Sequence, residues 1–216
     1  MGRIFYDISQ TINPGIVVYP GDPEVKFDQT FSIVKGDIVN LYNITMGSHT
    51  GTHVDAPKHF YDQGLTIDQL SMDYFIGPAK VFELLKSSTI SQADLESCDI
   101  QKGDIVLLKT KNSALLARTD FDPSFTYVDP GAAEFLADVG IRTLGFDYLS
   151  IDPYKSLDFK AHYILLGRNI VIIEGLNMSA VAPGEYQMVA LPLKLQDGNG
   201  SPARVVLIKD DENRTV

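Results

Sequence analysis

Apolar positions along the chain fall in short runs rich in β-branched and aromatic residues, broken by Gly, Pro, Asp or Asn, which is the pattern of strands separated by turns. Runs at 4–8, 27–34, 41–47, 80–85, 105–109, 143–146, 170–174, 187–193 and 203–208 are predicted strands. Helical signals are fewer. Asp129 can cap a segment that opens on Pro130, repeats its apolar residues at Ala132, Ala133, Phe135, Leu136 and Val139, and stops at Gly140. Ser91 with Asp94, and Thr66 with Gln69, have capping-box spacing and predict two shorter helices. The pattern therefore predicts an α/β chain, strand-rich with a few short helices. Without repeats, low-complexity tracts or a long linker, residues 1–216 are expected to form a single domain.

Composition narrows the function classes. Hydrophobic residues make up 44% of the chain and charged residues 21%, the balance of a chain able to bury a core. A net charge of -10, with no basic cluster, argues against nucleic acid as a partner, since phosphate-backbone binders need grouped Lys and Arg. No apolar stretch approaches the ~18 residues of a membrane span, and the first residues lack a signal-peptide core. Cys98 is the one cysteine, so no internal disulfide can form, and cytoplasmic residence is the expectation.

The chemistry is concentrated in Ser48-His49-Thr50-Gly51-Thr52-His53-Val54-Asp55-Ala56-Pro57-Lys58-His59-Phe60, which holds three of the four histidines. On a helix Asp55 would lie about 200° around from His53. The intervals 4, 2 and 4 are all even, so extended backbone points His49, His53, Asp55 and His59 to one side. A straight strand would hold His49 and His53 roughly 13 Å apart, too far to share an ion, so the chain must bend, with Gly51 and Pro57 as the places to do so. Imidazole and carboxylate together suit Zn²⁺, Mn²⁺ or Fe²⁺, and two His with one Asp leave open coordination positions, the catalytic pattern. Matched parity beside a carboxylate favours metal binding over ordinary surface histidines. The fourth histidine, His162, precedes the apolar run 170–173 that Glu174 closes; Glu174 reads equally as a ligand at a sheet rim or a solvated strand end.

This motif resembles the signature of the cyclase family, which includes bacterial kynurenine formamidases and isatin hydrolases. The resemblance continues through Tyr19-Pro20-Gly21-Asp22-Pro23, Gly145-Phe146-Asp147-Tyr148-Leu149-Ser150-Ile151-Asp152 and Ile173-Glu174-Gly175-Leu176-Asn177. It implies a swivelling β/β/α fold, a homodimer or higher homo-oligomer, and one or two divalent ions per subunit, Zn²⁺ in first place and Mn²⁺ as the alternative. It also implies roles: His49, His53 and Asp55 on one ion, Asp55, His162 and Glu174 on a second, and His59 as the acid/base. The implied activity is hydrolysis of amide bonds in small molecules, most like an arylformamidase of the N-formylkynurenine type. Such an ion acidifies water and polarises a carbonyl.

Tyr19 departs from the tryptophan usual at its position in formamidases of the family; it can still stack on a substrate ring, or simply pack beside the Pro20-Gly21 turn. Two other readings stay open: a cyclic-amide or lactone hydrolase of the isatin hydrolase kind, and a non-catalytic metal or small-molecule binding protein. Asp147, Ser150 and Asp152 are expected to form turns or to support the ligands rather than to be ligands.

Overall fold

A computed structural model describes residues 2–86 and 88–211. Its strands, in chain order, are β1 (Gly2–Asp7), β2 (Lys26–Phe31), β3 (Leu41–Thr45), β4 (His53–Asp55), β5 (Ile76–Glu83), β6 (Thr89–Ile90), β7 (Ile105–Lys109), β8 (Tyr127–Val128), β9 (Thr143–Phe146), β10 (Val171–Glu174), β11 (Gly184–Pro192) and β12 (Gly200–Asp211). Three α-helices, α1 (Gln92–Glu96), α2 (Pro130–Val139) and α3 (Lys160–Gly167), complete the α/β arrangement together with short 3-10 turns. None of the described helices is long and apolar enough to cross a membrane.

The main sheet runs β1-β12-β11-β5-β7-β9-β10-β4, and β4 also pairs with β12, so the sheet curls round and closes on itself. Strands β5, β7, β9 and β10 are mutually parallel, whereas β4, β11 and β12 join antiparallel. Parallel strands covered on both faces read as unbroken apolar runs, which is why 105–109 and 170–173 show no polar alternation. Their alternate residues serve two cores. Ile105, Leu107, Val171 and Ile173 point into the closed sheet with Val54, Met188 and Leu207. Val106, Leu108, Leu144, Phe146 and Ile172 point outward beneath the buried residues of α2 and α3, among them Leu136 and Leu165.

The helix predicted after Asp129 forms, with the Asp129 carboxylate accepting from Ala132 N–H at 2.7 Å and Gly140 closing it in the left-handed region. The Ser91/Asp94 capping box forms as well and opens α1. The expectation at Thr66 and Gln69 is corrected: Gln69 Oε1 does accept from Thr66 N–H at 3.1 Å, but the segment makes a turn and no helix. Ser71 restarts the chain by capping a separate 3-10 turn over Met72–Tyr74, and a capping bond alone cannot offset the cost of helix nucleation. Sequence reading assigned no helix at α3. The residue before it, Phe159, has a left-handed backbone and no capping side chain; its cap comes from Asp152, whose oxygens accept from Ala161 N–H and His162 N–H, both at 3.1 Å.

Strands β2 and β3 form a separate ribbon. Phe27, Phe31, Ile33, Val34, Ile38, Val39, Leu41, Tyr42 and Ile44 are all exposed on it or its turn.

Candidate metal centre

The parity argument holds where the backbone is extended. In β4, His53 pairs with Glu174 and Asp55 with Ile172 of β10, and directly paired residues share a face of the sheet. Since Ile172 faces the helical layer, His53, Asp55 and Glu174 do too. Helix α3 lies over that face and brings His162 down onto it: His162 Nε2 stands 3.3 Å from Glu174 Oε1 and 3.6 Å from Asp55 Oδ2. His53 Nε2 lies 3.4 Å from both Asp55 Oδ1 and Glu174 Oε2. The structure thus brings together residues more than a hundred positions apart in the chain.

His49 and His59 arrive by turns, not by strand parity. Gly51, at φ 63°, reverses the chain before β4 and lets His49 Nδ1 reach Asp55 Oδ1 at 2.7 Å. Its carbonyl then packs against Gly175, where a Cβ would stand 2.3 Å from Gly51 O. Only two bare backbones can approach this closely. After β4, a 3-10 turn over Pro57–His59 swings His59 back, and its ring stacks on His49 with centroids 3.9 Å apart. Ligand atoms of His53, Asp55 and Glu174 lie within 4.8 Å of one another, as do those of His49, Asp55 and His59. Asp55 belongs to both groups; His53 falls with Glu174, and His49 with His59, a grouping different from the one the resemblance implies.

A second layer aims the rings. The Nδ1–H of His53 donates to Gly51 O at 2.9 Å, and His162 Nδ1 meets Asp152 Oδ2 at 2.6 Å, so in both rings Nε2 faces the cluster. Glu174 is held by Ile151 N–H at 2.8 Å. Asp147, buried, accepts from the backbone and side chains of Thr110 and Ser113 and is a loop anchor.

The cluster calls for positive charge. His53, Asp55, His162 and Glu174 are buried. Burial alone would lower the His53 pKa, yet its contacts with Asp55 and Glu174 lift it to about 10; His162 is likewise raised well above its ordinary value, against burial, by Asp152, Asp55 and Glu174. Against the cost of burial, His49, His162 and His53 hold Asp55 well below the carboxylate range. His49 Nε2 and Asp55 Oδ2 are buried without a hydrogen-bond partner. Paired carboxylates, imidazole nitrogens aimed inward and orphaned ligand atoms fit a divalent cation. His59 differs: burial, the largest influence, takes its pKa down to about 4, leaving a neutral ring at neutral pH.

A cavity of about 220 Å³ opens onto the cluster. Tyr19, Phe60, Leu149 and Phe159 supply apolar wall, Asp22 and Ser150 polar wall, and His49, His53, His59, His162 and Glu174 the floor. Tyr19 packs edge-on against Phe121 and Tyr154, and Phe60 stacks on His162 at 4.8 Å. Sequence reading singled out Tyr19 here but missed Asp22, Phe60 and Phe159; the first two sit inside quoted motifs, whereas nothing local marks Phe159.

Known proteins resemble the chain in sequence and in fold. The Cyclase family model matches residues 6–153. A kynurenine formamidase of Geobacillus thermodenitrificans is 38% identical over 203 residues, covering 94% of this chain and 96% of the relative. A solved structure described as a predicted metal-dependent hydrolase from Bacillus stearothermophilus is 35% identical, with a TM-score of 0.85 over 97% of this chain and all of that one. Isatin hydrolase A from Labrenzia aggregata, solved with benzyl benzoate, shares the fold at a TM-score of 0.85 and 23% identity, covering 97% of this chain and 94% of its own. On the family match and on relatives that align along almost its whole length, the chain belongs to the cyclase family.

Proposed function

We propose that this chain is a metal-dependent hydrolase of amide bonds in small molecules, an arylformamidase that releases formate from N-formyl aromatic amines of the N-formylkynurenine type. The observation that carries it is the convergence of His49, His53, Asp55, His162 and Glu174 at the floor of an aromatic-walled cavity, with neutral His59 beside them. The identity to kynurenine formamidases supports the bond type.

In this reading Asp55, Glu174, His53, His162 and His49 would hold one or two divalent ions; Zn²⁺ is the first choice for such donors and Mn²⁺ the second. Bound there, the metal supplies Lewis acidity, lowering the pKa of water and polarising a carbonyl oxygen. The protein supplies the rest. An imidazole nitrogen of His59, unprotonated at neutral pH, takes a proton from the attacking water and hands it to the departing amine nitrogen. Phe60 and Phe159 hold the aryl ring, and Tyr19 closes the wall beside them.

The whole chain acts as one domain, in the cytoplasm, on a small-molecule substrate and without nucleic acid. The assembly is a homodimer or a higher homo-oligomer, a reading supported by the β2–β3 ribbon and its turn, where large apolar side chains from Phe27 to Ile44 lie exposed together. The test is a panel of N-formyl anilines, isatin-like rings and lactones given to protein of known metal content. Formate release that follows metal loading is expected; ring opening without formate would move the assignment to a cyclic-amide hydrolase, and no turnover by the loaded protein would leave a binding protein.

A further inference from the structure

Asp22 is the one carboxylate of the cavity wall with no structural employment. The turn that carries it is closed by its backbone, Asp22 N–H donating to Tyr19 O at 3.0 Å, and Gly21 supplies the left-handed φ of 107° that the turn needs. Its side chain accepts no hydrogen bond from any described residue, although it lines the cavity with His49 and Glu174. The two deeper carboxylates, Asp55 and Glu174, are matched by histidines and by the metal that the cluster fits. Asp22 stands exposed at the rim, makes no such contact and feels His49 and His53 only at a distance, and no described Lys or Arg lines the cavity. Partial burial, its largest influence, raises its pKa, while His49 and His53 pull it down and Glu174 and Asp55 push it up.

A negative group at the mouth of a cavity otherwise walled by Phe60, Phe159 and Tyr19 has a defined chemical complement. It is an aromatic ring bearing a cationic arm, the ring against the aromatic wall and the cation on the carboxylate. An anionic arm in the same place would meet a like charge and be disfavoured.

We propose that Asp22 is the specificity-determining residue of this site, docking the ammonium group of an aryl formamide whose ring carries an amine-bearing side chain. The proposal rests on the arylformamidase reading above. It makes Asp22 a binding group for a part of the substrate remote from the scissile bond, so its effect falls on KM more than on kcat.

The experiment uses three matched substrates, 3-(aminomethyl)formanilide, formanilide and 3-(carboxymethyl)formanilide, with metal-loaded wild type and Asp22→Asn. Wild type is expected to favour the cationic substrate over the neutral one and the neutral over the anionic. In Asp22→Asn, the cationic-to-neutral ratio of kcat/KM should fall by about tenfold, mainly through KM. The anionic-to-neutral ratio should rise, and metal content should match wild type. Ratios that stay constant while all three rates change together would overturn the proposal and give Asp22 a role in the metal centre or the turn. If wild type cleaves none of the three, the functional reading fails on its own; the proposal is then judged by calorimetry with benzylamine and benzyl alcohol. Tighter binding of benzylamine that Asp22→Asn abolishes would sustain it, and equal binding of the two probes would overturn it.

Discussion

Two neighbouring imidazoles carry separable roles. His59→Ala is expected to lower kcat by about two to four orders of magnitude, the usual contribution of a positioned proton carrier, with bound metal unchanged by elemental analysis. A parallel loss of metal would instead make His59 a ligand beside His49 and Asp55, whose atoms it approaches closely. Asp152→Asn tests the layer behind the ligands. It removes the anion that fixes His162 Nδ1, so metal affinity should drop about 10–100-fold in a competitive chelator titration. At this scale the sequence told much: the motif from His49 to His59 named most of the cavity floor, because each residue type there has a metal-related chemistry. It placed the bends at Gly51 and Pro57, but not the stacking of His59 on His49 that those turns produce. Nor could it show that Asp152 aims His162, since that bond depends on how α3 lies over the sheet.

Strand β12 passes directly under the cluster, and its first residue is Gly200. A Cβ there would stand 2.5 Å from His49 Cε1 and 2.7 Å from Val54 O. Gly200→Ala should therefore displace the His49 ring, destabilise the protein by about 1–3 kcal/mol in denaturant melts as overpacking does, and weaken metal binding. At the sheet edge, Arg204 of β12 grips Asp7 of β1 with two hydrogen bonds and holds its carboxyl below the ordinary range. A depressed carboxylate pKa gives stability that is present above about pH 3.9 and is lost as pH falls through the folded-state value. The difference in melting midpoint between wild type and Arg204→Ala should then be small but measurable at neutral pH and vanish in strong acid. Elements were legible wherever local pattern sufficed: 105–109 and 143–146 form as read, and α2 has its own cap and stop. Strand β4 was legible through the parity of its histidines and Asp55; helix α3 was not, because it borrows its cap from another loop.

For the molecule as a whole, the metal is expected to act as part of the fold. A buried cluster that otherwise needs protonated histidines should gain stability on loading. At a free ion concentration a hundredfold above Kd the gain is about 2.7 kcal/mol, roughly 5–10 °C in melting temperature for a chain this size. Scanning calorimetry before and after chelation checks it; identical melts would argue against a metal at these residues. The ribbon of β2 and β3 adds a second dependence. It leaves the body four residues after Asp22 and rejoins it four residues before His49, so both of its roots are parts of the cavity. Clamping the ribbon at a subunit contact would splint the entrance; releasing it would let Asp22 and His49 drift. Specific activity should then decay on dilution in step with dissociation measured by light scattering, though no atom of the chemistry lies on the ribbon itself.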